Sequence, residues 1–323
     1  MKKIIFKMCI LIVPVFLLAS SFFLWLNYAY KQTNHWKAAY YNADRFNHVP
    51  TEIQLCNIGT SHGCWGLKWE DYPELNAFNF AQSSQSFYID LIILKHFENK
   101  IKEGAIVLIP LSFHQIYNYW KEGYTETYQL FLSKKEYPYW RKKKYITTTL
   151  FPVINSGIQP CLGYIRNDIP QDQMARFHQD WVFKQWSEQE MREYIDKYGA
   201  QWFFTQNADF DVNSYQKNFD AVCKIVDYCY EHKWQPILIT VPVYSYFYEA
   251  FGKIAPYQKN GFYQFSKDLL ARYPGIPYWD YSHDAELSPN IELFSDDDHL
   301  NMYGAEKFTA RIIADLRKAG YLE

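Results

Sequence analysis

The hydrophobic positions of the chain alternate between two kinds of segment. Short apolar runs, typical of buried strands, are separated by longer stretches whose apolar residues recur at helical spacing. The predicted strands are Ile53–Ile58, Ala77–Phe80, Ala105–Leu111, Pro236–Val241 and Pro277–Tyr281. The predicted helices are Phe87–Asn99, Tyr215–His232, Phe262–Arg272 and Tyr303–Lys318. Because parallel neighbouring strands need crossover helices, this order predicts a three-layer α/β fold with a doubly wound parallel sheet.

The N-terminal region has a different pattern. Met8–Leu26 is an uncharged apolar run, long enough at about 1.5 Å per residue to cross a hydrocarbon layer of roughly 30 Å. Three lysines precede this run and three aromatic residues end or follow it: Lys2, Lys3, Lys7, Trp25, Tyr28 and Tyr30. The pattern predicts a single-pass signal anchor with a cytoplasmic N-terminus and an extracytoplasmic main domain. A cleaved signal peptide is the alternative, although its apolar core is usually shorter.

The rest of the chain divides by composition. We expect residues 1–30 to form the cytoplasmic tail and transmembrane anchor, residues 31–50 a linker, and residues 51–323 the main domain. Residues 115–213 break the alternation of strands and helices and are dense in aromatic residues, which predicts an inserted cap. The run Lys134–Arg141 mixes cations with aromatic rings, as membrane-surface segments do. A solvated charged face is an equal alternative for that run.

Charge and cysteine content exclude several classes of protein. The 323 residues carry 33 basic and 35 acidic side chains, a balance that excludes a general nucleic-acid binder. Five cysteines lie outside the anchor, an odd number without CxxC spacing: Cys56, Cys64, Cys161, Cys223 and Cys229. The sequence therefore predicts neither a disulfide scaffold nor a zinc or redox motif.

The first candidate chemical cluster, Asn57–Gly63, directly follows the first predicted strand. A serine at a strand-to-helix turn has an exposed hydroxyl, and its backbone N–H belongs to a helix N-terminus that can stabilise an oxyanion. Ser61 is therefore a candidate nucleophile, and a simple helix N-cap is the alternative. Gly59, Ser61 and Gly63 also match the nucleophile elbow of α/β-hydrolases. That fold places several strands before its serine, so we consider this match coincidental.

The second cluster, Ser295–Asn301, lies just before the last predicted helix. A nucleophilic serine needs an imidazole to take its proton and a carboxylate to orient that imidazole. Asp296, three residues before His299, can turn back onto the ring. An acidic capping loop with a surface histidine is the alternative. The glycine and glutamate of a calcium loop are missing, so we expect no metal here, and His283 is a weaker candidate base.

The ordered set of blocks resembles the SGNH (GDSL-like) hydrolase superfamily, whose domain is flavodoxin-like. The blocks are Asn57–Gly63, Asn79–Ser86 and Asp296–Asn301, and the resemblance covers roughly residues 50–115 and 214–320. It implies that Ser61 is the nucleophile, His299 the base and Asp296 the residue that orients it. It also implies an oxyanion hole, formed in part by the backbone N–H of Ser61.

Two positions depart from the pattern of that superfamily. Ala81 stands where the second block has its oxyanion glycine and is a candidate donor through its backbone N–H, and the third block lacks its usual asparagine. Ser112 or Gln115 could replace that asparagine as donor. These departures favour the membrane-anchored branch, which includes the D-alanyl-lipoteichoic acid transfer protein and the alginate and peptidoglycan O-acetylation proteins.

The resemblance implies serine-dependent acyl transfer or O-deacylation on a cell-envelope glycan or polymer, beside the membrane and a multispanning membrane acyltransferase. His62, Trp65 and Gln85 are the candidate substrate contacts, and neither a cofactor nor a nucleic-acid partner is expected. Two alternatives stay open at this point: a plain carbohydrate or lipid esterase, and a catalytically silent partner that binds glycan or acts as a scaffold.

Overall fold

The computed structural model describes residues 2–37, 45–117, 125–167, 186–199 and 212–323. The chain forms two compact units. The first comprises Met1–Asn47 and Thr125–Phe177, and the second comprises His48–Tyr124 and His178–Glu323. Parts of the predicted linker and cap, residues 38–44, 118–124, 168–185 and 200–211, lie outside the described residues.

The elements are named here in chain order. The helices are α1 (Lys2–Gln32), α2 (Ser61–Gly66), α3 (Phe87–His96), α4 (Thr125–Tyr128), α5 (Lys142–Tyr145), α6 (Val153–Ser156), α7 (Ile158–Arg166), α8 (Glu188–Tyr194), α9 (Val212–Glu231), α10 (Ser245–Ile254), α11 (Pro256–Arg272) and α12 (Met302–Lys318). The strands are β1 (Ile53–Asn57), β2 (Ala77–Asn79), β3 (Ile101–Pro110), β4 (Gln235–Thr240) and β5 (Tyr278–Asp280). Ile146–Leu150 and Ile195–Gly199 are π-helical turns.

The second unit is built on a five-stranded sheet in the order β2-β1-β3-β4-β5. Every pairing is parallel; for example, Cys56 of β1 lies opposite Phe78 of β2 and Val107 of β3. The central strands are buried on both faces, which explains why they read as continuous apolar runs rather than alternating ones. The predicted α/β fold with a parallel sheet is therefore confirmed.

The strand order explains the layers. The chain moves from β1 to β2 in one direction and then crosses to β3 on the other side of β1. Since parallel crossovers are right-handed, this reversal places helices on both faces of the sheet. Helices α3, α9 and α11 form one layer, while α2 and α12 pack together in the other. Ligands of such sheets bind at the carboxyl ends of strands where the direction reverses, here β1 and β3.

Several elements differ from those expected from the sequence; α11, for example, begins at Pro256, ahead of Phe262. Strand β3 begins at Ile101, ahead of the apolar run, because Ile101 pairs with Ile53 of β1; a shift in register then separates this pair from the next one, Leu55 with Ile106. Helix α10 was not predicted, and its apolar side chains Phe247 and Phe251 pack into the core. The five cysteines outside the anchor are all free and buried, where they act as small apolar side chains.

The first unit is built around α1. Residues Ile12–Gln32 of this helix are long and apolar enough to cross a membrane. Helices α6 and α7 pack against the C-terminal half of α1, and Leu26, Tyr30, Val153 and Cys161 form their shared core. Part of the predicted cap is thus packed on the predicted anchor within one unit.

Candidate active site

Ser61 is the first residue of α2 and follows β1 after a tight turn. Gly59 makes this turn with φ = 115°, a conformation that side chains rarely adopt. A Cβ atom at Gly59 would also lie 3.4 Å from the ring of Pro110. The turn brings the Ser61 hydroxyl to the carboxyl end of the sheet, where His299 Nε2 lies 2.8 Å from Ser61 Oγ.

The loop before α12 supplies the imidazole and two carboxylates. Asp296 accepts the backbone N–H of His299 at 2.8 Å, and both of its carboxylate oxygens lie 3.0 Å from His299 Nδ1. Asp298 Oδ1 lies 2.8 Å from the same nitrogen. Because both neighbours are acceptors, Nδ1 carries the proton in the neutral ring, and Nε2 is left to accept from Ser61.

The two carboxylates set the charge of this loop. Burial alone would lower the pKa of His299, but the negative charges of Asp296 and Asp298 outweigh it and raise that pKa well above its usual value. Burial works against the charged form of Asp298, yet His299 and His62 hold its pKa well below the usual carboxyl value. Burial, followed by the charges of its two acidic neighbours, raises the pKa of Asp297.

Two further histidines surround Asp298. The His62 ring stacks on His299 with 4.7 Å between centroids, and His62 Nε2 lies 3.4 Å from Asp298 Oδ2. The other ring nitrogen of His62, Nδ1, has no hydrogen-bond partner among the described residues, although the side chain is buried. His114 Nδ1 lies 4.0 Å from the same oxygen of Asp298. Burial, with the charge of His62, lowers the pKa of His114 to about 3, so this ring stays neutral at pH 7.

The first two blocks are joined by a buried amide cluster. Asn57 Nδ2 donates to Asn79 Oδ1 at 2.8 Å and to the Gly63 carbonyl at 3.1 Å. Trp69 Nε1 donates to Asn57 Oδ1 at 2.8 Å. Asn79 Nδ2 also donates to three carbonyls of the α2 region. These bonds hold the first turn of α2, and with it Ser61, against the end of β2.

Asp90 is fully buried and lies against the turn that contains Gly59. Its Oδ1 accepts the Gly59 N–H at 2.8 Å and Gln85 Nε2 at 2.6 Å. Burial raises the Asp90 pKa to about 7, although both hydrogen bonds act to lower it. Gln115 Nε2 in turn donates to the Gln85 carbonyl at 3.2 Å. One hydrogen-bonded chain thus joins the loops that follow β1, β2 and β3.

The candidate oxyanion donors differ in their surroundings. The Ser61 N–H lies at the N-terminus of α2, and Ser112 Oγ is buried without a hydrogen-bond partner among the described residues. The other two candidates are engaged elsewhere. The Ala81 N–H donates to Asn79 Oδ1 at 3.0 Å, and the Gln115 amide is held as described above. The donors of Ala81 and Gln115 are thus engaged in other hydrogen bonds, and which residues would hold an oxyanion stays a prediction.

The expected substrate contacts also differ. His62 lies against the Ser–His pair, and Trp65 is partly exposed, with its Nε1 donating to Ser83 Oγ at 3.2 Å. Gln85 is fully buried, and its Nε2 donates to the Phe80 carbonyl and to Asp90. The structure therefore favours a supporting role for Gln85 over the substrate contact expected from the sequence.

Within the described part of the chain, two groups of side chains could hold a metal ion by geometry. The ligand atoms of His62, His114 and Asp298 lie within 4.8 Å of one another, as do those of Asp296, Asp298 and His299. The acidic members of both groups already face imidazole nitrogens. The expectation that the site works without metal or cofactor stays a prediction.

The weaker candidate base, His283, makes a separate contact. Its Nδ1 lies 3.1 Å from Ser282 Oγ, and its ring stacks on Tyr248 with 5.0 Å between centroids. Ser282 is fully buried. This pair has no carboxylate on the imidazole in the recorded hydrogen bonds of the described residues, in contrast to His299.

The segment formed by α8 and the π-helical turn Ile195–Gly199 packs beside the loop Ser295–Asn301. Trp186 Nε1 donates to the Ser295 carbonyl at 2.7 Å, and Gly199 approaches Asp297, whose carboxylate would lie 3.7 Å from a Cβ there. The Tyr246 hydroxyl donates to Asp196 at 2.9 Å. This part of the predicted cap thus covers one side of the loop that carries His299.

Comparisons with known proteins were made with both sequence and structure. No protein-family model matches the chain, and no curated protein matches it in sequence. Among solved structures, a candidate acylhydrolase of Bacteroides fragilis NCTC 9343 shares 12% identity at a TM-score of 0.41, over 86% of this chain and 94% of that one. A GDSL-like lipase of Bacteroides thetaiotaomicron VPI-5482 shares 11% identity at a TM-score of 0.40, over 87% and 98%. The strand order and the geometry of the site carry the argument that follows.

Three residues of this region were not singled out from the sequence. Asp298 lies next to His299, and its position as the third of three consecutive aspartates was the only sequence feature that could have indicated it. His114 follows β3 directly, so its place after a central strand could have identified it. Asp90 had no such signal, because a carboxylate in an amphipathic helix usually faces water.

Proposed function

We propose that the second unit is a serine-dependent esterase or acyltransferase in which Ser61 is the nucleophile, His299 the general base and Asp296 the residue that orients His299. One observation carries this proposal: Ser61 Oγ, the His299 ring and the Asp296 carboxylate form a continuous hydrogen-bonded line, with separations of 2.8 and 3.0 Å. A nucleophile, a base and an orienting carboxylate in that order are what nucleophilic acyl transfer requires.

The proposed reaction proceeds through an acyl-enzyme. Ser61 Oγ attacks the acyl carbonyl carbon while its proton passes to His299 Nε2. The tetrahedral intermediate then expels the alcohol, which takes this proton from His299. In the second half, a water molecule or a sugar hydroxyl gives its proton to His299 and attacks the acyl-enzyme. The second tetrahedral intermediate then expels Ser61 Oγ, which takes the proton back from His299. The carboxylates of Asp296 and Asp298 stabilise the imidazolium formed in each half.

The developing oxyanion needs donors near Ser61. The N-terminus of α2 offers the Ser61 N–H and the positive end of the helix dipole. Ser112 Oγ is a second donor, because it follows β3 on the switch-point side of the sheet and is buried without a partner among the described residues. His62 offers its Nδ1 to the substrate, since Nε2 faces Asp298, and Trp65 offers a partly exposed ring.

The proposed substrate is an O-acyl group on a cell-envelope glycan or polymer outside the membrane. Two observations support this class: α1 is apolar and long enough to anchor the chain, and aromatic residues, which can stack on sugar rings, make up 20% of the sequence. The resemblance of the three blocks to the membrane-anchored SGNH branch points to the same substrates, with a multispanning membrane acyltransferase as partner.

A fluorophosphonate probe tests the nucleophile. The full-length protein in detergent is treated with the probe, and the labelled peptide is mapped by mass spectrometry. We expect labelling at Ser61 that disappears in S61A and H299A. The matched controls are S282A and H283A, which remove the other Ser–His contact and should label like wild type. A folded wild type that takes no label at Ser61 would contradict the proposed nucleophile.

A catalytically silent glycan-binding or scaffold partner of a membrane acyltransferase is the second candidate. It is favoured by the engagement of Ala81 N–H and the Gln115 amide in other hydrogen bonds, which leaves fewer donors for an oxyanion. This candidate requires that S61A leave the O-acylation of the cell envelope intact in cells. The enzyme proposal requires that S61A abolish it while the protein level stays the same.

A further inference from the structure

The first unit exposes apolar side chains beside the C-terminal part of α1. Leu150, Ile154 and Ile158 are 42%, 52% and 50% exposed. We refer to these three residues as the juxtamembrane face. Single exposed aliphatic residues are common on proteins, but several together indicate a surface that contacts another apolar phase.

Contacts with α1 fix the level of this face along the helix. Three contacts join residues 151–156 to successive turns of α1. The rings of Phe151 and Phe23 lie 5.7 Å apart between centroids. The Val153 N–H donates to Asn27 Oδ1 at 3.1 Å, and the Ser156 hydroxyl donates to the Tyr30 hydroxyl at 3.4 Å. The possible membrane span reaches Gln32. At 1.5 Å per residue, Phe23 lies about 14 Å inside that end, so residues 150–156 lie beside the last turns of the span.

Asn27 shows how the two segments fit at this level. Its side chain is buried, with Nδ2 donating to the Phe23 carbonyl at 2.8 Å and Oδ1 accepting from Val153. A polar side chain at membrane depth is costly unless its hydrogen bonds are made within the protein. The packing of Val153 on Leu26 and Asn27 thus seals a polar group of α1 from its surroundings.

A basic run lies shortly before the π-helical turn that ends at Leu150. Arg141, Lys142 and Lys143 are exposed, and Lys144 is half-buried. The Thr148 hydroxyl donates to the Lys144 carbonyl at 2.8 Å, which ties this run to the π-helical turn that ends at Leu150. Cations next to apolar side chains are the pattern of segments that lie in a membrane interface, where they meet anionic lipid headgroups.

We propose that the juxtamembrane face is inserted in the lipid bilayer beside α1, with Arg141–Lys144 at the level of the headgroups. The first unit is then held by the membrane over this surface as well as by the single helix. This inference rests on the proposed membrane anchoring through α1, and it extends the membrane contact beyond the Lys134–Arg141 run expected from the sequence.

Depth-dependent fluorescence quenching tests the proposal. Cys9 is replaced by serine in the full-length protein, and one introduced cysteine is labelled with bimane. The five other thiols are buried, and labelling of the C9S protein without an introduced cysteine measures their contribution. The protein is reconstituted in phosphatidylcholine–phosphatidylglycerol vesicles with either doxyl-labelled lipid or aqueous iodide as quencher. The labelled sites are L18C in the span, I154C and I158C in the face, and N167C, an exposed residue beyond α7.

We expect doxyl lipid to quench bimane strongly at Leu18, clearly at Ile154 and Ile158, and little at Asn167, with iodide giving the reverse order. Quenching at Leu18 combined with iodide access at Ile154 and Ile158 would overturn the inference alone, and would mean that the face meets water or a protein partner. No lipid quenching at Leu18 would overturn the membrane anchoring and the inference with it. The I158C variant decides the matter should I154C fail to fold.

Discussion

Two carboxylates face one nitrogen of His299, and their removal one at a time tests how the imidazole is oriented. Asp296 places both oxygens 3.0 Å from Nδ1, and Asp298 places one at 2.8 Å. The perturbations are D296N, D298N and the double variant. Asparagine keeps the Asp296 oxygen that accepts the backbone N–H groups of Asp298 and His299, so the loop should keep its shape.

The magnitudes follow from these contacts. A hydrogen bond to a charged group contributes about 1.5–3 kcal/mol, which corresponds to roughly a 10- to 150-fold change in rate. Each single variant keeps one carboxylate on Nδ1 and should lose about that much activity. The double variant has no carboxylate to hold the ring in the required tautomer, so it should lose on the order of 10⁴-fold.

The assay is the rate of fluorophosphonate labelling of Ser61 in the full-length protein, with circular dichroism to check folding. D297N is the matched control: it removes a carboxyl group of the same loop that makes no hydrogen bond to His299 in the recorded contacts of the described residues, and it should label like wild type. If D296N alone loses as much as the double variant, Asp298 does not share the orienting role and the reasoning is refuted.

Three further predictions follow from the site. Labelling of wild type should rise with pH on the alkaline side of 6.5, because the pKa of His299 is raised; a plateau already reached at pH 6 would contradict this. The pKa of Asp90 is raised on folding to about 7, so between pH 5 and pH 8 the folded protein holds a proton that the unfolded chain has already lost, and rising pH destabilises the fold. The melting temperature of wild type relative to D90N should therefore fall from pH 5 to pH 8; a constant difference would contradict this. G63A should destabilise the protein by about 1–3 kcal/mol, because the new Cβ would lie 2.7 Å from the Ile58 carbonyl. G163A, with open space around it, is the control and should not lower stability in the same thermal melts.

The strands of the sheet could be read from the sequence because the signals are local. β1, β3 and β4 are buried on both faces, so each appears as an apolar run, and the sequence between them has helical spacing. The start of β3 at Ile101 could not be read in this way. Ile101 is separated from the apolar run by polar residues, and it belongs to the strand because it pairs with Ile53 of β1 across a shift in register.

The site was harder to predict because its distances depend on tertiary packing. The proximity of Ser61 and His299 was expected from the resemblance, and the structure gives the 2.8 Å contact. The catalytic roles stay a proposal. Nothing in the local sequence indicates that Asp298 would share Nδ1 with Asp296, or that Asp90 would lie under Gly59. Such contacts arise where loops from different strands meet.

The Ser61–His299 contact joins residues 238 positions apart in the chain, which has a consequence for when the site can form. Strands β1, β2 and β3 all lie within the first part of the sequence, and they can pair before the rest of the chain has emerged during synthesis. The loop that carries His299 comes last, fixed by Asn301, which caps α12. A chain still being synthesised therefore has Ser61 without His299 beside it, and the contact between the two side chains forms only once the final helix has docked.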